Sequence, residues 1–573
     1  MQKTIKHHSN YIVLALFWAV SVLLNGCVSG QLGKNNSGEY KNGMVVSAHP
    51  EASQVGIEIL KKGGNAVDAA VAVQFALGVV YPNAGNIGGG GFMVYRSASG
   101  EVNALDFREK AAAGASRDMY LDAAGNPIVD KSLYGHLAAG VPGSVDGMVE
   151  AHKKYGKLSW AQVLQPAIDL AEKGFKITKR QAAELNGLHR KFMDFNPLGT
   201  AFVNLESTWK ENDFLVQKEL ANTLKLIQQK GREGFYAGAV ADSVVAEMQR
   251  GKGLVTKEDL KNYHSVWRKP IVGQYRGYKV ITMPPTSSGG IALIQLLQSV
   301  EPYPLKKWGY NADSTVQLIV EAERRVYADR ATHLGDPDFY AVPQNQLLNA
   351  GYNKNRMANF NWNAATPSSS ILAGQVAGKE HEETTHFSIV DRDGNAVSIT
   401  TTLNGSYGSL VVVKGAGFLL NNEMDDFSVK PGAPNMYGLI GGEANAIAPN
   451  KRMLSSMTPT IVEKEGKLFM VVGTPGGSTI ITSVFQTIIN VIDFEMNMQA
   501  AVAAKKFHHQ WLPDEVYVEK DALDSLTTKK LEAKGYKIVP RGAIGRVDAI
   551  LKTKWGYYQG GADPRGDDQV AGY

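Results

Sequence analysis

Thr384 opens the run of residues 384–391 and could act as a nucleophile if the chain were cut just before it. A threonine hydroxyl reacts poorly until a base lies beside it, and the freed α-amino group of the same residue can serve as that base. An α-amine with a pKa of about 7.7 to 8.0 can take up a proton and return it near neutral pH. The chemistry that this arrangement indicates is acyl transfer.

The residues around Thr384 predict a β-hairpin. Residues 385–391 alternate between apolar and polar types, Asp393-Gly394 is a two-residue turn signal, and residues 396–402 alternate again with many β-branched side chains. We therefore expect Thr384 to begin the first strand, where a sheet would hold its hydroxyl rigidly and within reach of a ligand. From this run alone, an ordinary threonine-rich strand is the competing interpretation.

Further motifs are distributed along the whole chain after its first forty residues. They lie at residues 43–50, 63–70, 106–109, 284–290, 327–330, 334–338, 421–428, 455–456, 474–478 and 562–565. Together with the run at Thr384, these motifs closely resemble the γ-glutamyltranspeptidases, a family of N-terminal-nucleophile hydrolases.

The resemblance implies a fold and a processing event. The fold would be of the α/β (α+β) class, a four-layer αββα sandwich built jointly from two fragments of one self-cleaved chain. Thr384 would attack the carbonyl carbon of Glu383, and water would hydrolyse the resulting ester, so that the chain breaks between these residues. The large (heavy) subunit would then span residues 43–383 and the small (light) subunit residues 384–573, together a heterodimer.

The resemblance also assigns the catalytic groups. Thr384 would attack the γ-carbonyl of a glutamyl substrate and form an ester that water or an acceptor amine resolves. Gly476 and Gly477 would form the oxyanion hole, since glycine lets backbone N–H groups approach closely, and each such donor typically lowers a barrier by ~3 to 4 kcal/mol. Thr402 would orient the nucleophile by hydrogen bonding.

A γ-glutamyl group has a free α-carboxylate and a free α-ammonium, so its binding site needs charges of both signs. The resemblance assigns the carboxylate to Arg108, Ser455 and Ser456. It assigns the ammonium to Asn404, Glu423 and Asp426. Residues 430–438 resemble the lid loop of some family members, with Tyr437 closing over the site, although their Pro and Gly content also fits a plain surface loop.

Each substrate-binding residue has a plainer interpretation when taken singly. Arg108 and Glu109 could form a surface ion pair worth under about 1 kcal/mol. Asp425 and Asp426 could be turn residues of a loop. The complete set favours the binding site.

Two positions depart from the family pattern. Ala112 stands where the arginine motif usually has proline, which leaves Arg108 in place but could relax the loop that presents it. Glu382 and Glu383 place two carboxylates before the bond to be cut, and their repulsion or desolvation could slow self-cleavage.

The first residues predict a compartment. Lys3 and Lys6 precede an apolar stretch at residues 11–24, too short to span a bilayer, which needs ~20 residues, and typical of a signal peptide over residues 1–26. Residues 24–27 resemble a bacterial lipoprotein processing site, so that Cys27, the one cysteine, would be lipidated and residues 27–42 would be a flexible tether. We expect a periplasmic protein of the bacterial cell envelope. The alternative is a simply cleaved or unprocessed secretory leader with an incidental cysteine, and Asn25 is an unusual residue at its position.

The composition excludes some partners and cofactors. The net charge is +5 without a basic block, so nothing suggests nucleic acid, and membrane contact would come only through the lipid anchor. The histidines form no metal-ligand pattern, and the implied mechanism requires no cofactor.

Asn65 begins a strongly apolar helix that ends before Pro82, and its Asp68 and Gln74 favour a buried core helix over a membrane span. Residues 350–383 are predicted to be a loop that leads into the cleavage site.

The resemblance implies a self-processing γ-glutamyltransferase and hydrolase. Its donors would be glutathione and related γ-glutamyl compounds, and its acceptors would be water, amino acids or peptides. A related acylase for glutaryl or cephalosporin-type side chains is the alternative within the fold, disfavoured by the Asn404, Glu423 and Asp426 set. A non-catalytic lipoprotein that binds γ-glutamyl ligands is the alternative from another class, disfavoured by Thr384, Thr402 and the two glycines.

Overall fold

A computed structural model of the chain describes residues 37–371, 384–433, 435–436 and 438–573. The predicted signal peptide, Cys27, Glu383 and Tyr437 lie outside the described residues. The described part contains two large β-sheets, and both combine strands from before and after residues 372–383.

All neighbouring strands in the two large sheets are antiparallel. The first sheet has seven strands in the order β19 (Gln569–Gly572), β2 (Met44–Ser47), β10 (Thr385–Val390), β11 (Ala396–Thr402), β3 (Gly90–Arg96), β4 (Val102–Asp106) and β7 (Val266–Arg268). The second has seven in the order β1 (Ser37–Tyr40), β18 (Tyr558–Ala562), β17 (Asp548–Lys552), β13 (Lys467–Gly473), β12 (Thr460–Lys464), β9 (Tyr278–Thr282) and β8 (Ile271–Tyr275). Two small sheets contain β14 (Phe507–His508), β15 (Val516–Glu519) and β16 (Ile538–Arg541), and β5 (Phe175–Lys176) with β6 (Phe214–Leu215).

The two large sheets pack face to face through an apolar layer. Val46 and Phe92 from the first sheet form one cluster with Ile281, Val471 and Ile550 from the second. All five side chains are buried. Alternate residues of the same strands point outward, as the two-residue period of a strand requires, and meet the helices.

Helices cover the outer face of each sheet. Those packed with the first sheet are Pro50–Lys61, Ala66–Val80, Ser144–Tyr155, Trp160–Lys173, Lys179–Phe195, Lys218–Lys230, Glu233–Tyr236, Gly238–Gly251 and Lys257–Asn262. Those packed with the second are Gly289–Val300, Leu305–Trp308, Asp313–His333, Gln344–Leu347, Ala350–Arg356, Thr479–Ile492, Met498–Ala503 and Ser525–Ala533. A further short helix is Val129–Leu133, and 3-10 turns lie at His136–Ala138, Ser368–Ser370, Glu423–Asp426 and Glu443–Asn445. The predicted four-layer αββα sandwich is confirmed.

The Ala66–Val80 helix shows why an apolar helix sits in the core. Asn65 and Asp68 form a reciprocal capping box at its start. The Gln74 side chain donates to the Asn86 carbonyl at 2.9 Å. The prediction of a buried core helix is confirmed, because Asp68 and Gln74 are both fully buried and each makes a hydrogen bond inside the protein. In the described part of the chain, no helix is long and apolar enough to cross a bilayer.

Two predicted loops differ from the structure. The predicted tether to residue 42 ends earlier, because Ser37–Tyr40 forms β1 and satisfies its backbone by pairing with β18. The predicted loop from residue 350 begins as the Ala350–Arg356 helix, whose first turn is capped when Asn349 accepts from the Tyr352 N–H at 3.0 Å. So short a helix depends on tertiary contacts rather than on its own propensity.

Candidate active site

Thr384 lies directly before β10, which is flanked by β2 and β11 inside the first sheet. The predicted hairpin is confirmed, since Thr385 pairs with Thr401 and Val390 with Ala396 across an antiparallel ladder. Gly394 has φ of 91° in the connecting turn, a left-handed conformation that glycine adopts at no steric cost. Thr384 exposes only 5% of its surface, so the sheet holds it firmly.

Buried polar contacts fix β10, the strand that follows Thr384. The two ring nitrogens of His386 lie 2.9 Å from Thr400 Oγ1 and 3.0 Å from Ser388 Oγ. Burial lowers the pKa of His386 to about 3, so its imidazole is neutral at physiological pH. Gly473 lies against this ring, where a β-carbon would come within 2.3 Å of it. His386 was not predicted to belong to the site, since no sequence feature distinguishes it from an ordinary strand residue.

A small cavity of about 20 Å³ joins Thr384 to most of the predicted site residues. Its wall contains the predicted residues Arg108, Thr402, Asn404, Asp426, Ser455, Ser456 and Gly477. We call this space the first cavity. Glu423 does not line it, although it contacts Arg108, and Gly476 lines a neighbouring cavity that also reaches Thr384.

Thr402 and Asn404 come from the end of β11. The Thr402 hydroxyl oxygen accepts from the Asn404 N–H at 2.7 Å, and Asn404 Nδ2 donates to the Asn422 carbonyl at 3.0 Å. Asn404 has φ of 73°, a left-handed conformation that asparagine tolerates better than most residues. These contacts turn the chain sharply, so both side chains face the first cavity.

The two glycines lie in the turn between β13 and the Thr479–Ile492 helix. Gly476 has φ of 135° and Gly477 has φ of 51°. Their carbonyls accept from the Thr479 and Ile480 N–H groups, whereas their own N–H groups donate to no partner among the described residues. Free N–H groups at the start of a helix attract negative charge. This geometry suits an oxyanion hole.

Arg108 lies at the centre of a buried ionic cluster. Its Nη1 is 2.6 Å from Glu423 Oε2 and 3.5 Å from Glu109 Oε2, and its Nη2 contacts Asp426. Arg108 and Glu109 are fully buried, so the surface ion pair considered for them is wrong. Asp426 is held in addition by Asn435 Nδ2 at 3.2 Å.

The carboxyl groups around Arg108 hold their protons more tightly than exposed ones. Burial raises the pKa of Glu109 to about 8 against the opposing effect of Arg108, and burial likewise raises the pKa of Glu423 and Asp426. Burial alone would lower the pKa of Arg108, but Glu423, Glu109 and Asp426 outweigh it. The cluster therefore contains one guanidinium that stays positively charged and three carboxyl groups that contact it and whose pKa values are raised.

Asp425 and Asp426 face different surroundings although they are adjacent. Asp425 turns away from the first cavity and accepts from Ser132 Oγ at 2.7 Å and from the Met436 N–H at 2.8 Å. Burial raises the pKa of Asp425 to about 6. Of this pair, therefore, the residue chosen from the sequence is the one that lines the cavity.

Ser455 and Ser456 are held by neighbours that the sequence analysis gave no role. Arg330 donates from Nη2 to Ser456 Oγ at 3.1 Å and from Nε to Ser288 Oγ at 2.9 Å. Arg330 belongs to the buried last turn of the Asp313–His333 helix and lines the first cavity. The motif at residues 327–330 pointed to this residue but not to its position. Among the described residues, no group of His, Cys, Asp and Glu side chains could hold a metal ion.

Comparisons with known proteins agree in one family. The family model described as gamma-glutamyltranspeptidase matches residues 52–573. The chain is 50% identical over 535 residues to the glutathione hydrolase proenzyme of Escherichia coli (strain K12), covering 93% of this chain and 92% of the relative. It is 36% identical over 533 residues to the acylase ACY 1 proenzyme of Pseudomonas sp. (strain V22), covering 92% of both.

Two solved structures are similar to the fold. The crystal structure of Helicobacter pylori gamma-glutamyltranspeptidase matches with a TM-score of 0.56 and 44% identity, covering 62% of this chain and 99% of that chain. The cephalosporin acylase of Bacillus halodurans matches with a TM-score of 0.82 and 28% identity, covering 96% of this chain and 99% of that chain.

Proposed function

The chain belongs to the γ-glutamyltranspeptidase family, and from this premise we propose that Thr384 is the nucleophile with which it acts. The protein is an enzyme, a self-processing γ-glutamyl hydrolase and transferase. Its donors are glutathione and related γ-glutamyl compounds, in line with the names of its relatives. One observation carries the assignment: the first cavity brings Thr384 together with a guanidinium, a carboxylate and an oxyanion-binding turn.

Self-processing begins at the peptide bond before Thr384. The Thr384 hydroxyl oxygen attacks the carbonyl carbon of residue 383, and the C–N bond breaks as the nitrogen takes a proton. Water then hydrolyses the ester, which releases a carboxylate on the large subunit and leaves a free hydroxyl and α-amine on Thr384. The large subunit therefore ends at residue 383, and the small subunit begins at Thr384.

Turnover uses the new amine as its base. The amine accepts the proton of the Thr384 hydroxyl as the oxygen attacks the γ-carbonyl carbon, and it delivers that proton to the leaving nitrogen. The Gly476 and Gly477 N–H groups stabilise the oxyanion that forms, and Thr402 orients the nucleophile. Water or an acceptor amine then attacks the ester, and one of its protons returns to Thr384 Oγ.

The ionic cluster explains recognition of an α-amino acid. Arg108, with Ser455 and Ser456 beside it, binds the α-carboxylate. Asp426 and Asn404 in the cavity wall bind the α-ammonium, and Glu423 supports the site by holding Arg108 from outside the cavity. Without substrate, Arg108 and Asp426 neutralise each other, since a buried unpaired charge is costly. When the zwitterion binds, its α-carboxylate pairs with Arg108 and its α-ammonium pairs with Asp426. These two residues then separate, which opens the space that their contact closes.

The same cluster distinguishes this enzyme from a glutaryl acylase. A glutaryl group lacks the α-ammonium, so it would separate Arg108 from Asp426 and leave that carboxylate without a cation. The chain is also more similar to the glutathione hydrolase proenzyme of Escherichia coli, at 50% identity, than to the acylase, at 36%.

The nucleophile is tested by intact mass and by turnover. We expect a chain starting at residue 28 to appear as two fragments split between residues 383 and 384 and to hydrolyse γ-glutamyl-p-nitroanilide. The Thr384→Ala variant should stay whole and inactive, because it has no hydroxyl to start either reaction. Thr385→Val is the matched control, since the Thr385 hydroxyl has no hydrogen-bond partner in the described structure. An uncut wild-type chain, or a cut Thr384→Ala chain, would contradict the assignment.

We propose in addition that the enzyme is periplasmic and anchored by a lipid on Cys27. The support is the sequence of the leader, namely Lys3 and Lys6, the short apolar stretch and a cysteine that has no partner for an internal disulfide. In a bacterial host, the membrane fraction should contain the wild-type protein, and its N-terminal peptide should have the mass of an acylated cysteine. Cys27→Ser should move the protein out of the membrane fraction; an unmodified Cys27 in the mature wild type would rule the anchor out.

A further inference from the structure

A second cavity, of about 110 Å³, also reaches Thr384. Three guanidinium groups line it, from Arg180, Arg546 and Arg565, together with Gly476 and with no acidic residue. A water molecule needs only ~10 to 15 Å³ of such space, so a group of several heavy atoms fits. Three cations around a void beside the nucleophile indicate an anion site.

The acids that accompany these arginines lie behind them, outside the cavity wall. Arg546 Nε is 3.0 Å from Asp568 Oδ1, and Arg180 Nε donates to Glu184 Oε1 at 2.8 Å. Arg565 is held by its contacts with Asp563 and Glu519, the Nε to Asp563 Oδ1 distance being 2.6 Å. These pairs fix the guanidinium groups without filling the space in front of them.

Arg546 has a donor that the protein does not use. Its Nη2 has no hydrogen-bond partner among the described residues, although Arg546 exposes only 9% of its surface. Its guanidinium stacks 5.1 Å from the centre of the Tyr81 ring, and Gly566 packs against its aliphatic part. Buried donors are almost always paired, so a held and unused one next to a void indicates a missing acceptor.

The two cavities meet at the reacting atoms. Thr384 lines both, whereas Gly477 lines the first and Gly476 lines the second. A γ-carbonyl bound at Thr384 with its oxygen on these two amides has its glutamyl part in the first cavity. The nitrogen on the other side of that carbonyl therefore faces the second cavity.

We propose that the second cavity binds the terminal carboxylate of the dipeptide that leaves or accepts the γ-glutamyl group. The inference rests on the proposed function, because it takes Thr384 as the acylated residue. A dipeptide spans ~7 Å from its amine to its carboxylate, so its amine can meet the ester while its carboxylate reaches the arginines. Arg180, on the Lys179–Phe195 helix, is the residue of the three with the most exposed side chain, 40% exposed.

The test compares two acceptors that differ only in charge. With a saturating γ-glutamyl-p-nitroanilide donor, we expect wild-type enzyme to use glycylglycine about tenfold more efficiently, in kcat/KM for the acceptor, than glycylglycine amide. Arg180→Gln should remove most of this preference by raising the KM for glycylglycine. Hydrolysis of the anilide, whose leaving group has no carboxylate, should change far less than the use of glycylglycine does.

Arg190→Gln is the matched control, because Arg190 lies on the same helix with its side chain 93% exposed and away from the cavity. It should keep the preference. The proposal is overturned if wild-type enzyme does not prefer the acid, a measurement that needs no variant to fold or mature. It is also overturned if Arg180→Gln weakens the acid and the amide acceptors equally. A wild-type enzyme that neither splits nor turns over the anilide would instead contradict the proposed function.

Discussion

The two cavities that meet at Thr384 both contain arginine, but their acids are placed differently. In the first, Asp426 shares the wall with Arg108 and contacts it. In the second, the wall has three guanidinium groups and the acids stand behind them. A wall with both signs complements a zwitterion, whereas a wall with one sign complements an anion. Whether the acids lie in the cavity wall or outside it therefore predicts the kind of ligand better than the number of charged residues does.

The largest expected effect comes from removing the cation of the first cavity. Arg108→Met should lower kcat/KM for γ-glutamyl-p-nitroanilide by roughly 10²- to 10³-fold, because the α-carboxylate loses its partner. It should also destabilise the protein by about 3–5 kcal/mol, since Glu423 and Asp426 remain buried without a cation. Steady-state kinetics and thermal unfolding of the mature enzyme measure both effects.

Arg117→Met is the control for this change. Arg117 pairs with Glu443 at 2.6 Å on the surface, where both side chains are mostly exposed. Kinetics and Tm should both match those of wild type. An Arg108→Met enzyme with near-normal kcat/KM would show that Arg108 is a structural cation only.

A smaller effect is expected from neutralising the acid in the first cavity. Asp426→Asn should lower kcat/KM for a γ-glutamyl anilide by about 10- to 100-fold, because a charged hydrogen bond to the ammonium is lost. The glutaryl anilide has no ammonium, so its turnover should not fall, and the ratio of the two activities reports the ammonium site alone.

Asp425→Asn tests whether position, rather than charge, matters. Asp425 is the neighbour of Asp426 but contacts Ser132 and the Met436 N–H outside the cavity. Its variant should keep the wild-type ratio of γ-glutamyl to glutaryl turnover. Equal changes in both variants would mean that Asp426 acts only through the local fold.

The smallest effect concerns the acids behind the second cavity. Burial raises the pKa of Asp548 well above its ordinary value, and the nearby Asp568 raises it further. Burial also raises the pKa of Asp568 to about 6, against the opposing effect of Arg546. A carboxyl whose pKa is raised by folding binds its proton more tightly in the folded state. Its contribution to stability is therefore present at low pH and is lost as the pH rises from the ordinary value toward the folded one.

Asp548→Asn removes that titration. The Tm of the variant minus the Tm of wild type should become more positive by about 1 to 2 °C between pH 5 and pH 8. Differential scanning calorimetry at the two pH values measures this difference. A difference that stays the same at both pH values would mean that Asp548 is already ionised in the fold. The guanidinium charge of the second cavity would then be offset by one more acid.

The sequence predicted the elements whose signals are local. The hairpin after Thr384 and the capped helix after Asn65 follow from alternation, turn residues and capping side chains, and both are present. Most residues that the resemblance assigned to the site meet in one cavity, although Arg108 and Ser456 are far apart in the chain, and their roles stay predictions.

What the sequence did not predict depends on tertiary contacts. Arg180 and Arg565 meet at one void only after the chain has folded, and nothing near either residue marks an anion site. Arg330 reaches the first cavity from a helix that is buried almost all round, so no polar face indicated its direction. The Ala350–Arg356 helix and β1 are short, and each is stabilised by a neighbour that local patterns cannot reveal.

The mixed composition of the sheets has a consequence for the mature enzyme. β10 and β11 lie between β2 and β3 of the first sheet, so the two chains made by the proposed cut before Thr384 would share one hydrogen-bonded ladder. Neither chain alone has a complete sheet or a closed core. Unfolding of the cut protein therefore releases two molecules, and recovery becomes a second-order reaction. The yield of refolded enzyme after heating should fall on dilution. The lifetime of the active enzyme therefore depends on the rate at which it unfolds.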